Sequence, residues 1–422
     1  MAQQPVRTPR RSERTRALLF ATVGFMVTFW AWSLISPLGP HFVAEGLTAD
    51  SSLLVAVPVL VGSLGRIVVG ALTDRLGGRF MMSFIAIITV IPVLFVGFIG
   101  QYTYPALIVG GFFLGVAGTS FAVGVPYVNR WFTKESRGSA IGVYGIGMGG
   151  TAIAAFTTVP LHDVWPKLPF VIAAAVLIIY SVLAAWLMRN PPGWEPVRQP
   201  LASTLAATMK VKLTWQAAYL YALSFGGYVA FSVYLPTMLN HEYGLDPADA
   251  SLRMAGFVIV AVATRPLGGV LADRIGAVRT LIISFSIVLV CALALSLNSH
   301  EFLVYTTEYI LMSVGFGLGS GATFALIAQN SDPASVGSIT GFVGAAGGLG
   351  GFVPPLLLGT LWATIGSYSL GLVFLAGFTL LALLISIWVG REAKRESART
   401  SSPPPPPSSA TDQQSIPQED PS

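Results

Sequence analysis

The chain has few charged side chains. Asp, Glu, Lys and Arg make up 10% of its 422 residues, whereas 54% are hydrophobic and the mean hydropathy is +0.71. A soluble globular domain carries about 25% charged residues, so the polar surface that water requires is missing and a soluble protein is excluded. The 45 glycines and 9 tryptophans are typical of packed membrane helices with Trp near their ends.

Cysteine and the common catalytic motifs are also scarce. The single Cys291 excludes an internal disulfide and a cysteine metal cluster, and its apolar surroundings indicate plain packing. The chain lacks a nucleotide-binding loop of the Walker type and any motif that pairs a nucleophile with a base. We therefore expect neither an ATP-driven pump nor an enzyme, and neither a metal nor another cofactor.

Long apolar runs are abundant. A hydrocarbon core of about 30 Å needs about 20 apolar residues in a helix, and runs of this kind recur twelve times. The predicted spans are residues 17–35, 53–72, 80–100, 105–128, 139–159, 168–187, 215–239, 254–271, 280–297, 302–327, 341–361 and 370–389. The sequence therefore predicts an all-α membrane protein with twelve transmembrane helices.

Polar segments divide the spans into two bundles. The longest connection, residues 189–214, contains Asn190-Pro191-Pro192-Gly193 and separates a bundle over residues 17–188 from one over 215–390. Residues 1–16 are a basic terminus. The apolar run after them is long and has no small-residue cleavage site, so we interpret it as the first span and not as a signal peptide. Residues 391–422 form a Pro/Ser-rich tail that is predicted to be disordered; a proline-binding partner is the alternative to a bland extension.

The basic side chains lie mainly on one side of the predicted membrane. Most of the 24 Lys and Arg residues fall in the termini and in the connections after spans 2, 4, 6 and 8, and only Lys167 and Arg253 fall on the other side. The positive-inside rule then places both termini in the cytoplasm, for a multi-pass protein of the cytoplasmic (inner) membrane. The net charge of +5 is thus a topology signal, and we expect no nucleic-acid partner.

Two stretches of sequence occur once in each bundle. Five residues of the first bundle recur at one constant offset in the second: Arg66, Gly70, Asp74, Arg75 and Gly77 match Arg265, Gly269, Asp273, Arg274 and Gly276. At the same offset, Gly138, Ser139, Gly142, Gly145 and Gly149 match Gly337, Ser338, Gly341, Gly344 and Gly348. The chain is therefore predicted to be two parallel six-helix repeats, and transporters built in this way bind substrate near the midplane between the halves.

Arg66 and Arg265 are the strongest functional signal. Each precedes its Asp-Arg pair by about two helical turns, which puts it about 12 Å into the membrane, where a charge costs at least ~2.5–3.5 kcal/mol. None of the 19 acidic residues lies in the middle of a span, and the nearest, Glu308, is close to the outer end of the tenth. The predicted counter-charge is a bound anion, and the guanidinium fork suits planar oxyanions such as nitrate, nitrite or carboxylates. Structural arginines bonded to helix carbonyls are the alternative.

The repeated glycines and Asp-Arg pairs each allow two interpretations. The glycines form one face of the fifth and eleventh spans, where they either let helices approach closely or expose backbone donors beside a small ligand. The pairs Asp74/Arg75 and Asp273/Arg274 lie at cytoplasmic helix ends. They are either solvated loop charges or a gating latch between the halves, and their recurrence in both repeats favours the latch.

Aromatic side chains in the central spans are weaker signals. They are Phe25, Phe29, Trp30 and Trp32 in the first span, Phe121 in the fourth, and Tyr221 and Phe225 in the seventh. Most membrane aromatics pack or face lipid. The phenol of Tyr221, however, needs a hydrogen-bond partner in an apolar setting, which makes it the best single candidate among them.

The repeated Gly-x-x-x-Asp-Arg-x-Gly element resembles the loop signature of the major facilitator superfamily. Within that superfamily the chain resembles the nitrate/nitrite porter family over nearly all of residues 17–390. The similarity is carried by VAVPVLVGSLGRIVVGALTDRLG around Arg66, GVYGIGMGGT in the fifth span, YALSFGGYVAFS in the seventh and GSITGFVGAAGGLGGFVPP in the eleventh. The last of these is similar to the nitrate signature of the family, and the fifth span holds a weaker copy.

The resemblance implies roles for individual residues. The two arginines would clamp the anion, Tyr221 would donate a hydrogen bond, and Phe29, Phe121 and Phe225 would wall the cavity. The chain departs from the family at Met148, where the family usually has Asn, and at Ala325 and Ala328, where it has polar residues. The expected substrate site is Arg66, Arg265, Tyr221, Phe29, Phe121, Phe225, Met148, Gly145, Gly149, Gly344 and Gly348.

The predicted function is secondary transport of nitrate and/or nitrite by rocking of the two six-helix domains. The expected protein is a monomer whose partners are the anion and the lipid bilayer. One alternative is a small-carboxylate exchanger of the oxalate/formate kind, which would favour a further cation in the eleventh span, where this chain has none. The other is a membrane sensor that binds an anion without transport.

Exchange of nitrate for nitrite is the predicted mode of coupling. A proton symporter needs a titratable group in its transport core. No carboxylate lies in the middle of a span, and the four histidines fall at the outer ends: His41, His162, His241 and His300. The phenol of Tyr221 is too weakly acidic for easy cycling near neutral pH.

Overall fold

Twelve long helices dominate the structure, a computed structural model that describes residues 10–196, 206–297, 302–331 and 336–400. In chain order the membrane-spanning helices are α1 Arg11–Ala44, α2 Ser52–Leu76, α3 Gly78–Tyr102, α4 Tyr104–Trp131, α5 Ser139–Val164, α6 Leu168–Leu187, α7 Lys212–Tyr243, α8 Pro247–Ile275, α9 Ala277–Ser296, α10 Tyr305–Ile327, α11 Ile339–Ile365 and α12 Ser369–Glu392. Each is long and apolar enough to cross a bilayer. The prediction of an all-α protein with twelve spans is confirmed.

Several helices extend beyond the apolar runs that predicted them. Helix α7 begins before residue 215 and ends after residue 239, and α8 begins at Pro247. There the carboxylate of Asp246 caps the helix by accepting from the backbone N–H groups of Ala248 (3.0 Å) and Asp249 (3.1 Å). Apolar runs mark only the slice of helix inside hydrocarbon, whereas polar turns continue the helix outside it. The predictions for residues 1–9, 197–205 and 401–422 and for His300 lie outside the described residues.

Four of the described helices contain a short 3₁₀ segment: Ser36–Leu38 in α1, Gly100–Tyr102 at the end of α3, Gly115–Thr119 in α4 and Ile146–Gly149 in α5. Such segments inside a helix often mark a hinge or local strain. The segment in α5 is followed by Gly150, which lies against the backbone of α1 near Met26 and Trp30. A Cβ added at Gly150 would come within 2.6 Å of the Trp30 nitrogen, so glycine is what permits this close helix packing.

The repeat is visible in the turns that join α2 to α3 and α8 to α9. Gly77 and Gly276, which match at the constant sequence offset, have φ angles of 84° and 94°. Side chains other than glycine rarely adopt this left-handed region. The same backbone turn is therefore built at equivalent places in the two halves.

The two halves meet along α1, α2 and α5 of the first and α7, α8 and α11 of the second. Helices α7 and α10 are the most buried spans, and α12 and α6 are the least buried. The outer helices expose large apolar side chains such as Ile179, Trp186 and Leu384. Lipid would cover this surface, since a continuous exposed apolar surface is unfavourable in water.

One end of the interface between the halves is closed by polar contacts. We call the membrane face at which α1 begins and α12 ends the terminal face, and the other the opposite face. Toward the opposite face, side-chain hydrogen bonds join the halves, among them Ser36 Oγ to Val233 O (2.5 Å), Ser51 Oγ to Thr237 Oγ1 (2.8 Å) and Tyr234 Oη to Asp50 Oδ1 (3.1 Å). Within the described residues, no side-chain hydrogen bond joins the halves on the terminal-face side of the buried arginines.

Candidate functional site

Arg66 lies in the interface between the halves and is 5% exposed. From α2 its guanidinium donates through Nε to the carbonyl oxygen of Gly118 in α4, at 3.2 Å. Through Nη1 it donates to the carbonyl oxygen of Gly344 in α11, at 2.9 Å. One arginine of the first half is thus bonded to the backbone of both halves.

Arg265 occupies the equivalent position in α8 and is 1% exposed. Its Nη2 donates to the phenol oxygen of Tyr221 at 2.9 Å, and its Nη1 lies 2.9 Å from the sulfur of Met148 in α5. This arginine therefore also reaches the other half. A thioether is only a weak hydrogen-bond acceptor, so one arm of the guanidinium points at a poor partner.

Aromatic rings surround both guanidiniums, and two of these rings are shared. The ring centre of Phe121 lies 5.1 Å from Cζ of Arg66 and 5.8 Å from Cζ of Arg265. The ring centre of Phe225 lies 5.4 Å from each. Tyr221 stacks on Phe225 with ring centres 4.9 Å apart and planes 3° apart. The structure thus brings together the two predicted arginines, Tyr221 and two of the three predicted phenylalanines.

Neither guanidinium has a carboxylate partner among the described residues. Each carries five N–H donors, and the hydrogen bonds above use two nitrogen atoms of each. Arg66 does bond helix carbonyls, as the alternative of a structural arginine requires. Carbonyl oxygens satisfy N–H groups but leave the positive charge uncompensated, so the site retains two buried cations.

Three of the four predicted site glycines touch this cluster. A Cβ added at Gly145 would lie 2.9 Å from Nε of Arg265, one at Gly348 would lie 2.7 Å from Nη1 of Arg66, and one at Gly344 would lie 3.1 Å from the ring of Phe121. A Cβ added at Gly149 would instead lie 3.8 Å from a methyl carbon of Val262 in α8. The glycine stripes therefore make room for the arginines as well as for close helix packing.

The structure places Phe29, which was expected to wall the cavity, behind another aromatic ring. Phe29 packs on Phe25, with ring centres 4.3 Å apart, and Phe25 in turn lies 5.6 Å from Phe121. Phe29 thus lies behind Phe25 and not against the arginines, since Phe121 and Phe225 pack against both guanidiniums.

The Asp-Arg pairs do not join the halves in this conformation. Asp74 accepts from Nη2 of Arg130 in α4 of its own half, at 2.8 Å. Arg75, Asp273 and Arg274 form no ion pair with the side chains that the structure describes. In this conformation Asp74 therefore makes a contact within its own half. The latch between the halves, which would form when this end of the interface is closed, stays a prediction.

Sequence reasoning missed Phe324 of α10. Its ring centre lies 5.9 Å from Cζ of Arg265 and 4.7 Å from that of Tyr221 in an edge-to-face arrangement. A phenylalanine in a uniformly apolar span carries no signal of its own, so only the packing of α10 against α7 could have identified it.

Twelve spanning helices in two related halves, with buried cations between the halves, define a membrane transporter. The profile of the Major Facilitator Superfamily matches residues 21–355 and 217–416. The chain is 42% identical over 387 residues, 90% of this chain and 98% of the relative, to "Probable nitrate/nitrite transporter NarK2" of Mycobacterium tuberculosis (strain CDC 1551 / Oshkosh). The chain belongs to the nitrate/nitrite porter family of the major facilitator superfamily and is a transporter, not an enzyme.

Further relatives and two solved structures are also similar to this chain. The chain is 34% identical to "Probable nitrate transporter NarT" of Staphylococcus epidermidis, over 89% of this chain and 97% of the relative. It is also 34% identical to "Nitrite extrusion protein" of Bacillus subtilis (strain 168), over 88% and 92%. The human organic anion transporter MFSD10 has the same fold, with a TM-score of 0.73 at 12% identity over 88% of this chain and 99% of that one. So does a bacterial homologue of the human lysosomal transporter Spinster, with a TM-score of 0.67 at 16% identity over 91% and 98%.

Proposed function

We propose that this protein carries nitrate and/or nitrite across the cytoplasmic membrane, with both termini in the cytoplasm and the anion held between Arg66 and Arg265. The observation that carries the proposal is the pair of buried guanidiniums, one on each half, without a carboxylate partner among the described residues. A buried charge must be neutralised, and a planar oxyanion can accept from guanidinium forks in its own plane. The names of the relatives support this class of substrate.

The surroundings of the arginines favour a small monovalent anion. Phe121 and Phe225 each lie within 6 Å of both guanidiniums, so little space separates the two cations. Apolar rings exclude water, which strengthens the attraction between a bound anion and the arginines. The hydroxyl of Tyr221, which already accepts from Arg265, would donate its own hydrogen to an anion oxygen.

Transport by alternating access follows from the way in which both halves contribute to one site. An anion that contacts both arginines would bridge the two halves at the site. The contacts between the halves toward the two membrane faces could then open and close in turn. The empty site contains two positive charges, and moving them through a low-dielectric interface is costly unless an anion is bound. This supports exchange of nitrate for nitrite, in which the carrier changes conformation only when it is loaded.

Uptake of isotope-labelled nitrate into proteoliposomes, with a panel of competing anions, tests the proposal. We expect unlabelled nitrate and nitrite to compete for uptake, and oxalate and formate to have no effect. Competition by oxalate without competition by nitrite would indicate a carboxylate exchanger instead. Nitrate binding by the purified protein without any flux would indicate an anion sensor.

A further inference from the structure

Tyr228 of α7 is a fully buried tyrosine that joins the two halves beside the arginine site. Its phenol oxygen lies 2.9 Å from Oγ1 of Thr151 and donates to the carbonyl oxygen of Met148 at 3.2 Å, both in α5. Oγ1 of Thr151 lies 3.0 Å from the same carbonyl oxygen. Because Tyr228 donates its only hydrogen to that carbonyl, the hydroxyl hydrogen of Thr151 can bond the phenol oxygen. The contacts of the Tyr228 phenol therefore depend on the position of the α5 backbone at Met148.

Met148 is the residue at which this contact meets the anion site. Its sulfur accepts from Nη1 of Arg265 at 2.9 Å, while its carbonyl oxygen accepts from Tyr228. It lies in the 3₁₀ segment Ile146–Gly149, which is flanked and interrupted by glycines. A glycine-rich 3₁₀ segment has few side chains to hold it and can change its backbone geometry easily.

An anion at Arg265 would compete directly with the Met148 sulfur. An oxyanion is a far stronger acceptor for a guanidinium than a thioether is. Met148 is fully buried, so an anion that displaces its sulfur needs room that a shift of the glycine-rich segment would supply. The carbonyl oxygen of Met148, which accepts from the Tyr228 phenol, would shift with that segment.

Resting on the proposed function, we propose that Tyr228 is a positioning residue that couples anion binding at Arg265 to opening of the opposite face. In the absence of an anion, its hydroxyl fastens α7 to α5. Farther along α7, Val233, Tyr234 and Thr237 bond the first half. These contacts and the phenol of Tyr228 all lie on α7. Release of the phenol therefore removes the first contact of the row and favours separation of the halves at the opposite face.

Tyr228 also has a packing role that must be separated from the role of its hydroxyl. Its ring lies 6.0 Å from that of Phe225 and 6.4 Å from that of Phe257. Tyr228→Phe keeps these ring contacts and removes only the hydroxyl. Thr151→Val, which has nearly the same shape as the native residue, removes the second hydroxyl of the cluster from the other half. The two variants test the contact between α7 and α5, one by a change in each half.

The matched control is Tyr219→Phe. Tyr219 lies on the same helix, and its hydroxyl donates to the carbonyl oxygen of Phe378 at 2.9 Å within the second half, on the exposed surface. Its loss removes one hydrogen bond of α7 without touching the interface between the halves. Any effect of Tyr228→Phe that Tyr219→Phe reproduces is a general effect on α7.

The experiment follows a reporter cysteine at Val159, in a Cys291→Ser background and in lipid nanodiscs. Val159 is buried and lines a crevice of about 150 Å³ near the opposite face, between the ends of α1 and α5 and the start of α8. The rate at which a hydrophilic thiol reagent modifies this cysteine measures opening of that face. Size-exclusion profiles and nitrate binding are measured on the same samples.

We expect Tyr228→Phe and Thr151→Val to raise the modification rate without nitrate by about 2- to 10-fold, the equivalent of one hydrogen bond. We expect nitrate to accelerate modification in the parent and to add less in these variants, while their nitrate affinity stays within about twofold. Tyr219→Phe should behave as the parent. If both interface variants, monodisperse and folded, match the parent without nitrate, the proposal is wrong. A parent that binds no nitrate contradicts the proposed function instead, and the comparison without nitrate still decides the role of Tyr228.

Discussion

Arg66 of α2 donates a 2.9 Å hydrogen bond to the carbonyl oxygen of Gly344 in α11, so the cation of one half is fastened to the backbone of the other. Arg265 mirrors this arrangement by reaching Met148 in α5. Any rocking of the halves must change both contacts. Both are also contacts that an anion with several acceptor oxygens could replace.

The first prediction concerns the fork of Arg265. Arg265→Lys keeps the charge but loses the two-armed geometry that now reaches Tyr221 and Met148. A hydrogen bond to a charged group contributes about 1.5–3 kcal/mol, so we expect at least a tenfold loss of nitrate uptake, and the same for Arg66→Lys. The control is Arg253→Lys on the same helix, which lies near the opposite face in a pair with Asp249 and should stay within about twofold of the parent. Uptake by Arg265→Lys within twofold of the parent would contradict the clamp.

The second prediction concerns Met148, where the resemblance leads us to expect Asn. Met148→Asn places an amide where the thioether now accepts from Arg265. It adds a donor for an anion oxygen, so we expect nitrate affinity to be preserved or raised, as measured by competition in the uptake assay. Loss of nitrate competition with carboxylate transport left intact would show that nitrate is not the substrate.

The third prediction uses two glycines of one helix. Gly348→Ala would push a methyl group to 2.7 Å from Nη1 of Arg66, whereas nothing lies within 4 Å of a Cβ added at Gly341. We expect at least a tenfold loss of uptake for Gly348→Ala, because both Ser63 and the arginine must move aside, and less than a twofold change for Gly341→Ala. Quantified membrane insertion separates transport from expression. Equal effects of the two substitutions would mean that the stripe serves helix packing alone.

The fourth prediction concerns the contact between Asp74 and Arg130. Both side chains are more than a third exposed, and exposed pairs contribute about 0.2–1 kcal/mol. We expect Asp74→Asn and Arg130→Gln to lower uptake by at most about fivefold each, with no further loss in the double variant. A much larger loss that is shared with Asp273→Asn would indicate a latch between the halves in another conformation.

The fifth prediction concerns coupling. Nitrate uptake is measured in proteoliposomes at clamped voltage, with and without internal nitrite and across a range of pH gradients. We expect strong stimulation by internal nitrite and no response to the pH gradient, because the described residues place no carboxylate beside Arg66 or Arg265. Uptake into empty vesicles that rises with an inward proton gradient would establish symport instead. In that case Asp50, bonded to Tyr234 across the interface, is the first carboxylate to replace.

The spans could be predicted because the bilayer imposes a single requirement on each helix. About 20 apolar residues must cross the hydrocarbon, whatever the neighbouring helices are. Helix ends such as those of α7 escaped prediction, since polar turns beyond the membrane carry no such requirement. The 3₁₀ segment of α5 escaped as well, because its geometry depends on how closely Gly150 packs against α1.

By itself, the sequence determined that two arginines lie deep in the membrane without acidic partners, because charge in hydrocarbon is costly enough to stand out at any position. It also determined their equivalence, through the repeat that relates Arg66 to Arg265. Only the tertiary structure decided which neutral side chains meet them: Phe324 and not Phe29, and Met148 through its sulfur. It alone gave Asp74 its partner and Tyr228 its place between the halves. Aromatic and hydroxyl side chains in an apolar helix look alike in sequence, and their roles depend on which helix packs against them.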